Sequence, residues 1–139
     1  MIAERLCQAI NNHDLDAFVD CFHQDYRSEQ PAHPARAFHG REQVRRNWSV
    51  FFRTLPDLRA EILALAMAEA DGVEWTEWRW QGNRENSTRF EMRGVMILGV
   101  QEERIAWARL YMEEVDAASE DIDSAVRNLT TPNPARGET

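Results

Sequence analysis

Lysine is absent from this 139-residue sequence, so all 16 of its basic side chains are arginine. Without an ε-amine the chain can form no Schiff base with a carbonyl substrate, anchor no pyridoxal phosphate and build no Walker-A phosphate loop. The 24 Asp and Glu residues give a net charge of −8. This acidic balance argues against a nucleic-acid partner, because nucleic-acid binding requires a basic surface.

Cysteine is also scarce, since Cys7 and Cys21 are the only two and neither lies in a metal-binding or redox-active doublet. We therefore expect two reduced, buried thiols. We also predict no metal and no cofactor, because no segment has the spacing of metal ligands. Long apolar runs are missing, and the N-terminal residues 1–12 lack the features of a signal peptide or membrane anchor. These features predict a cytoplasmic protein without a membrane partner.

Apolar residues recur at helical spacing in three N-terminal segments. The first segment ends at residues 11–12, the second follows an expected N-cap at Asp14, and the third spans residues 41–53. Between the second and third helices we expect a short strand over residues 25–30. Residues 31–34 form a loop in this prediction, because two prolines exclude helix there.

Strands are expected in the second half of the chain. Residues 58–70 are ambiguous, because their Ala, Leu and Glu content favours helix while the following Asp71-Gly72 turn favours the first arm of a hairpin. Three extended stretches follow, over residues 73–81, 88–100 and 105–114. The spacing of their turns predicts antiparallel pairing.

The chain is expected to form a single domain over residues 1–129. Ser119 is the expected N-cap of a last short helix that ends at Leu129. Residues 130–139 are polar and contain two prolines, so they are predicted to be a flexible C-terminal tail.

Alternate residues of a strand face opposite sides of a sheet, so the predicted strands can be sorted into two faces. The first face is almost wholly apolar, and we expect the helices to cover it. Its members are Trp78, Trp80, Phe90, Met92, Gly94, Met96, Leu98, Ala106, Ala108, Leu110 and Met112. Two interpretations of the small residues Gly94, Ala106 and Ala108 stay open: they leave room for a deep apolar pocket, or they let a helix approach closely.

The second face mixes aromatic side chains with three glutamates and three arginines. Its members are Trp75, Glu77, Arg79, Glu91, Arg93, Val95, Ile97, Trp107, Arg109, Tyr111 and Glu113. Because arginine forms planar ion pairs at modest desolvation cost, this composition predicts a homodimer interface. A solvated face with cross-strand ion pairs is the alternative.

Short motifs along the chain occur in a familiar order. They are Asn12-His-Asp-Leu-Asp-Ala-Phe18, Asp25-Tyr26, Phe38-x-Gly-x-Glu-x-Val44, Pro56-Asp57, Glu77-Trp-x-Trp-x-Gly82, Ile105 and Arg109-x-Tyr111. In this order, over residues 2–116, the sequence resembles the SnoaL-like polyketide cyclase group of the nuclear transport factor two-like superfamily. The resemblance implies an α+β fold, in which three N-terminal helices wrap a cone-shaped, strongly curved antiparallel sheet. It also implies that residues 58–70 form the first long strand.

The resemblance further implies a ligand pocket on the concave sheet face, but the family's catalytic residues are missing from the matching positions. The aspartate on the last strand of the cyclases and epoxide hydrolases matches Leu110. The partner Asp and Arg of the epoxide hydrolases match Trp80 and Trp78. A cyclase histidine matches Met96, and the general base of the ketosteroid isomerases matches Gln30. Fold alone therefore does not decide the function.

The remaining acid–base candidates lie in the loop after the first short strand. His33 is the leading candidate, because histidine titrates near neutral pH. Gln30 could polarise a carbonyl or orient a water, and Glu29 adds a carboxylate that faces outward by strand alternation. The alternative for His33 is a histidine that braces the loop through hydrogen bonds to the backbone.

The predicted ligand-binding residues combine this loop, the third helix and the apolar sheet face. They are Tyr26, Ser28, Trp48, Phe52, Trp78, Trp80, Met92, Met96, Leu110 and Met112. For Trp78 and Trp80 core packing is the alternative. Three functions stay open: a cofactor-independent enzyme of the cyclase, isomerase, dehydratase or hydrolase type, a binding protein for a small hydrophobic molecule, and a protein-interaction module that uses the second sheet face. The absence of the family's aspartates favours the binding protein.

Overall fold

Three helices lie in the N-terminal half, as the apolar spacing predicts. They are α1 (Ile2–Asn11), α2 (Leu15–Asp20) and α3 (Arg41–Thr54). In the computed structural model, which describes residues 1–132, the Asp14 carboxylate accepts a hydrogen bond from the Ala17 backbone N–H at 3.0 Å. Asp14 is therefore the N-cap of α2, as predicted. α1 packs against the third strand in chain order, residues 59–68. α3 packs against the first strand in chain order, residues 22–29.

Six strands form one sheet beneath these helices. They are β1 (Phe22–Glu29), β2 (Phe38–His39), β3 (Arg59–Ala68), β4 (Val73–Asn83), β5 (Arg89–Gln101) and β6 (Arg104–Glu114). Their order in the sheet is β2-β1-β6-β5-β4-β3, so β2 and β3 are free edges and the sheet is not closed. The ambiguous segment 58–70 thus forms a strand, as the resemblance implies, and the α+β class is confirmed.

The sheet is mixed, and the prediction of an antiparallel sheet was wrong in this respect. β1 pairs with β6 in parallel, with Ser28 opposite Ala108, whereas the other neighbours are antiparallel. Turn spacing predicts the direction only of strands that follow one another along the chain. β1 and β6 are far apart in sequence, so their relative direction could not be derived from it.

A β-bulge in β6 moves one predicted residue off the apolar face. Gly99 pairs with Trp107 and Val100 with Ile105, so Ala106 has no partner on β5. The extra residue reverses the alternation, and Ile105, which is fully buried, takes the inward position. The assignment of Ala106 to the apolar face was therefore wrong, because strict alternation does not hold across a bulge.

Gly94 allows two strands to approach closely in the middle of the sheet. It lies between Trp78 on β4 and Met112 on β6. A Cβ atom on Gly94 would come within 2.0 Å of the Tyr111 carbonyl oxygen. The absence of a side chain is thus required by the neighbouring backbone.

A buried carboxylate ties α1 to the sheet. Glu74 on β4 is only 2% exposed, and its two carboxylate oxygens accept hydrogen bonds from the backbone N–H groups of Ile2 and Ala3, each at 3.0 Å. The first N–H groups of a helix have no partner within the helix, so Glu74 satisfies two of them. Its charge also lies at the favourable end of the helix dipole.

A last helix, α4 (Ile122–Thr130), follows the sheet. Asp121 caps it, since its carboxylate accepts a hydrogen bond from the Ser124 N–H at 3.0 Å, and this bond holds the pKa of Asp121 below its ordinary value. The prediction of Ser119 as the N-cap was wrong, because the charged acceptor nearer the helix makes the bond. Of the predicted tail, residues 130–139, Thr130 belongs to α4, and residues 133–139 lie outside the described residues.

None of the helices within residues 1–132 combines the length and the apolar character needed to cross a lipid bilayer.

Candidate ligand-binding site

A cavity of about 460 Å³ lies between the helices and the apolar sheet face. Side chains of α1, α2 and α3 form one wall, and side chains of β1, β4, β5 and β6 form the other. Aromatic rings are concentrated on the helical side, where the Trp48 ring centroid lies 4.2 Å from that of Phe18 and 4.8 Å from that of Phe51. Trp80 reaches Trp48 from the sheet, with ring centroids 5.3 Å apart and an angle of 80° between the planes.

Most of the predicted ligand-binding residues line this cavity. They are Tyr26, Ser28, Trp48, Trp80, Met92, Met96, Leu110 and Met112. Phe52 and Trp78 are not part of the wall. The Phe52 ring stacks on His13 with centroids 5.1 Å apart, and Trp78 has no exposed surface. Trp78 donates from Nε1 to the Thr76 hydroxyl at 2.6 Å, so it is held within the core.

The small residues of the apolar face have different roles. Ala108 lines the cavity, whereas Gly94 does not and Ala106 lies in the bulge. Space for a ligand therefore depends on Ala108 rather than on a continuous stripe of small side chains. The first interpretation, room for a pocket, fits Ala108, whereas Gly94 makes room for the backbone of β6 and not for a helix.

Of the three predicted acid–base candidates, only Gln30 lines the cavity. His33 is turned toward the end of β6, where its Nε2 lies 2.6 Å from Glu113 Oε1. A 3-10 turn, Pro34–Arg36, follows His33, and His33 is not among the residues that line the cavity. Glu29 is exposed on β1, opposite Arg109 of β6.

Tyr26 carries a hydroxyl in the apolar wall. The residue is 3% exposed, and this burial raises the pKa of its phenol to about 12, with a smaller opposing effect from the hydrogen bond to Ser28. The phenol is therefore protonated at neutral pH. Tyr26 and Ser28 lie two residues apart on β1 and so present their hydroxyls on the same face.

Arg36 was not predicted as a site residue, yet it is the one charged side chain among the described lining residues. Its Nη1 donates to Gln30 Oε1 at 3.1 Å. Because Arg36 is exposed to solvent and also lines the cavity, it marks the cavity mouth. Its position depends on the path of the loop, for which the sequence carries no periodic signal.

Asn47 and Phe51 of α3 also line the cavity without having been predicted there. For Phe51 a signal was present, since Val44, Trp48 and Phe51 recur at helical spacing. Asn47 lies one residue before Trp48, and its side-chain oxygen accepts a hydrogen bond from Gln43 at 2.8 Å. A polar residue on an otherwise apolar helix face gives no sequence signal by itself.

In the part of the chain that the structure describes, no three His, Cys, Asp or Glu side chains come together as metal ligands. The polar side-chain groups of the described lining residues are two hydroxyls, two amides, one guanidinium and the indole N–H groups of Trp48 and Trp80.

A protein-family model described as the SnoaL-like domain matches residues 3–108, which is most of the chain. The protein belongs to the SnoaL-like domain family. This match confirms the resemblance inferred from the sequence motifs. No curated protein matches the sequence.

Solved structures share the fold of this SnoaL-like protein at low sequence identity. A hypothetical protein from Catenulispora acidiphila DSM 44928 with a ketosteroid isomerase-like fold, in complex with trimethylamine, has a TM-score of 0.67 and 17% identity, covering 85% of this chain and 86% of that one. RV0760c from Mycobacterium tuberculosis, in complex with estradiol-17β-hemisuccinate, has a TM-score of 0.69 and 14% identity, covering 79% and 89%. An LEH-like epoxide hydrolase from M. tuberculosis has a TM-score of 0.68 and 15% identity, covering 81% and 80%.

Proposed function

We propose that this SnoaL-like protein binds a small, mainly apolar molecule in the cavity. The observation that carries the proposal is the composition of the described wall, in which a few polar groups stand among aromatic and aliphatic side chains: those of Tyr26, Ser28, Gln30, Arg36 and Asn47 and the indole N–H groups of Trp48 and Trp80. Small-molecule pockets usually enclose roughly 300–1,000 Å³ and have this mixture of an apolar wall with a few polar groups. Water gains few hydrogen bonds from such a wall, so an apolar ligand displaces it favourably.

A planar ring system fits this wall best. Trp48, Trp80 and Phe18 pack at angles to one another and offer ring faces and edges to a flat ligand. Met92 and Met96 add flexible thioethers that adapt to ligand shape. The fold relative RV0760c was solved with a steroid ester, which supports a ligand of this kind.

Binding is better supported than acid–base catalysis. None of the described lining residues is Asp, Glu or His, and the raised pKa of Tyr26 makes its phenol still harder to ionise than that of an ordinary tyrosine. The hydroxyls of Tyr26 and Ser28 and the amide of Gln30 can hydrogen-bond a ligand carbonyl or hydroxyl. Removing a proton from the ligand would require a general base at the cavity.

The mutation Ala108→Leu is expected to weaken ligand binding at least about 10-fold, or about 1.4 kcal/mol. Ala108 is 2% exposed and lines the cavity, so the added carbons would occupy the volume of the ligand. Binding is measured by titrating 1-pyrenebutanol and following energy transfer from tryptophan to pyrene.

The matched control is Ala66→Leu, which adds the same carbons at an exposed position of β3 opposite Trp75. It is expected to bind the probe as the wild type does, and thermal unfolding checks that both variants fold. Absence of saturable transfer in the wild type would contradict the proposal. Unchanged binding by folded Ala108→Leu would show that the probe binds elsewhere.

We also propose that two copies associate through the second sheet face. Trp75 and Tyr111 are 47% and 42% exposed there. Charges on this face are paired within the chain, with Arg79 3.4 Å from Glu61 and Arg93 3.6 Å from Glu77. Paired charges lose less hydration on burial than isolated ones, so a partner can cover the aromatic rings at lower cost.

Light scattering at micromolar concentration is expected to give twice the chain mass of 16.2 kDa. Tyr111→Glu is expected to shift the protein to the monomer, because it buries an unpaired charge at the interface. Ile122→Glu on α4 replaces another exposed apolar residue, away from the sheet, and leaves the mass unchanged. A wild-type mass of 16.2 kDa would exclude the dimer.

The cytoplasm stays the predicted location. Cys7 and Cys21 are both free thiols. Burial raises the pKa of each, which keeps them protonated and unreactive. Two unpaired thiols are compatible with a reducing compartment.

A further inference from the structure

Arg36 places a positively charged guanidinium at the mouth of the cavity. We infer that the ligand is an apolar molecule with a terminal carboxylate, which binds at the Arg36 guanidinium while the apolar body fills the cavity. The inference rests on the proposed binding function and names the ligand class for that site.

The guanidinium of Arg36 has no charged partner among the side chains that the structure describes. Its Nη1 donates to the neutral side-chain amide of Gln30 at 3.1 Å. Among the side chains that the structure describes, no carboxylate lies within ion-pair distance of Arg36, whereas Arg79, Arg84 and Arg93 each have an acidic partner. The guanidinium has five N–H donors, so most remain for a carboxylate, which it can bind through two parallel hydrogen bonds.

The loop that carries Arg36 is held in place around His33. The His33 N–H donates to the Gln30 carbonyl at 2.7 Å, and the Arg36 N–H donates to the His33 carbonyl at 2.9 Å. The His33 ring in turn contacts Glu113 on β6 at 2.6 Å. Gln30 and Arg36 are thus preorganised toward the cavity mouth, and His33 is a positioning residue for them.

The positive charge of Arg36 is expected to give different affinities for acidic, neutral and basic ligands. A carboxylate gains a charge-assisted contact at Arg36, and a neutral alcohol leaves the guanidinium solvated at the mouth. An amine would meet a like charge, and the described wall offers no acid to compensate. The net charge of −8 opposes any anion at long range, but at about 0.15 M salt this effect is screened beyond about 8 Å.

The test uses three probes with the same apolar body: 1-pyrenebutyric acid, 1-pyrenebutanol and 1-pyrenebutylamine. Near neutral pH and at about 0.15 M salt, the acid is expected to bind the wild type about 10-fold more tightly than the alcohol, and the amine most weakly. Arg36→Gln is expected to lower the affinity for the acid to about that for the alcohol, so that the difference between the two probes disappears. Because Arg36 is exposed, this variant is expected to retain the wild-type thermal midpoint.

Two further variants separate contact from overall charge. Arg53→Gln makes the same change in net charge on α3, where Arg53 is exposed and outside the wall, and is expected to keep the acid preference. Gln30→Glu places a carboxylate beside the Arg36 guanidinium and is expected to remove the preference while the arginine is still present.

The outcomes are distinguishable. If no probe binds the wild type, the proposed function fails together with the inference. If acid and alcohol bind equally, the proposed function stands and the inference is overturned. Equal loss of acid preference in Arg53→Gln and Arg36→Gln also overturns it, because long-range charge would then explain the preference.

Discussion

Gly94→Ala is expected to destabilise the fold by more than about 4 kcal/mol, an unusually large effect for a single methyl group. The new Cβ would lie 2.0 Å from the Tyr111 carbonyl oxygen and 2.8 Å from the Met112 Cα. The shortest ordinary non-bonded distance between a carbon and an oxygen atom is about 3.3 Å. The methyl group can fit only if β5 and β6 separate, and this would break their hydrogen bonds in the middle of the sheet.

Gly99→Ala is the matched control, because it makes the same change on the same strand. There the Cβ would meet the side-chain ring of Trp107, so a side chain has to shift and the backbone does not. Urea denaturation is expected to show a much smaller loss of stability for Gly99→Ala than for Gly94→Ala. Equal stabilities of the two variants would contradict the close approach at Gly94.

Glu74→Leu is expected to cost about 3–5 kcal/mol of unfolding free energy. The Ile2 and Ala3 N–H groups, each 3.0 Å from a Glu74 oxygen, would lose their acceptors, and an unsatisfied buried group costs about 1–3 kcal/mol. Glu74→Gln keeps one acceptor oxygen, and its unfolding free energy is expected to lie between those of Glu74→Leu and the wild type. Denaturant unfolding measures the loss, and faster amide exchange at Ile2 and Ala3 identifies its origin.

Glu77→Gln serves as the control for Glu74. Glu77 lies on the same strand but on the second face, where it pairs with Arg93 at 3.6 Å and its side chain is 44% exposed. Its loss is expected to change stability by less than about 1 kcal/mol, the usual value of an exposed ion pair. A similar effect at both positions would contradict the role of Glu74 as the anchor of α1.

Strand alternation predicted several residues of the cavity wall on the regular strands, although Trp78 and Gly94 of the same face do not line the cavity. Trp80, Met92 and Met96 face the cavity because alternate side chains of β4 and β5 must share a side. Alternation failed at Ala106, because a bulge adds one residue to one strand only. Bulges depend on how neighbouring strands fit together, and the sequence of one strand does not contain that information.

Two important residues lay outside the sequence prediction for different reasons. Glu74 has the parity of the apolar face, and a carboxylate there requires a buried partner, so a signal was present. Arg36 had none, because its place at the mouth depends on the 3-10 turn after His33. The candidate acid–base role of His33 was inferred from its residue type and its place in the loop after the first short strand, and the structure places its ring against Glu113.

The parallel pairing of β1 with β6 constrains the order in which the protein can fold. During synthesis β1 emerges early, but Ser28 cannot meet Ala108 until nearly all of the sheet has been made. Until β6 is in place, the aromatic side chains of α2 and α3 therefore have no complete sheet to pack against. Pairing between segments that are distant in the sequence is also slow. β1, which pairs with the late strand β6, also carries the cavity residues Tyr26 and Ser28. We therefore expect the cavity to be among the last parts of the protein to form.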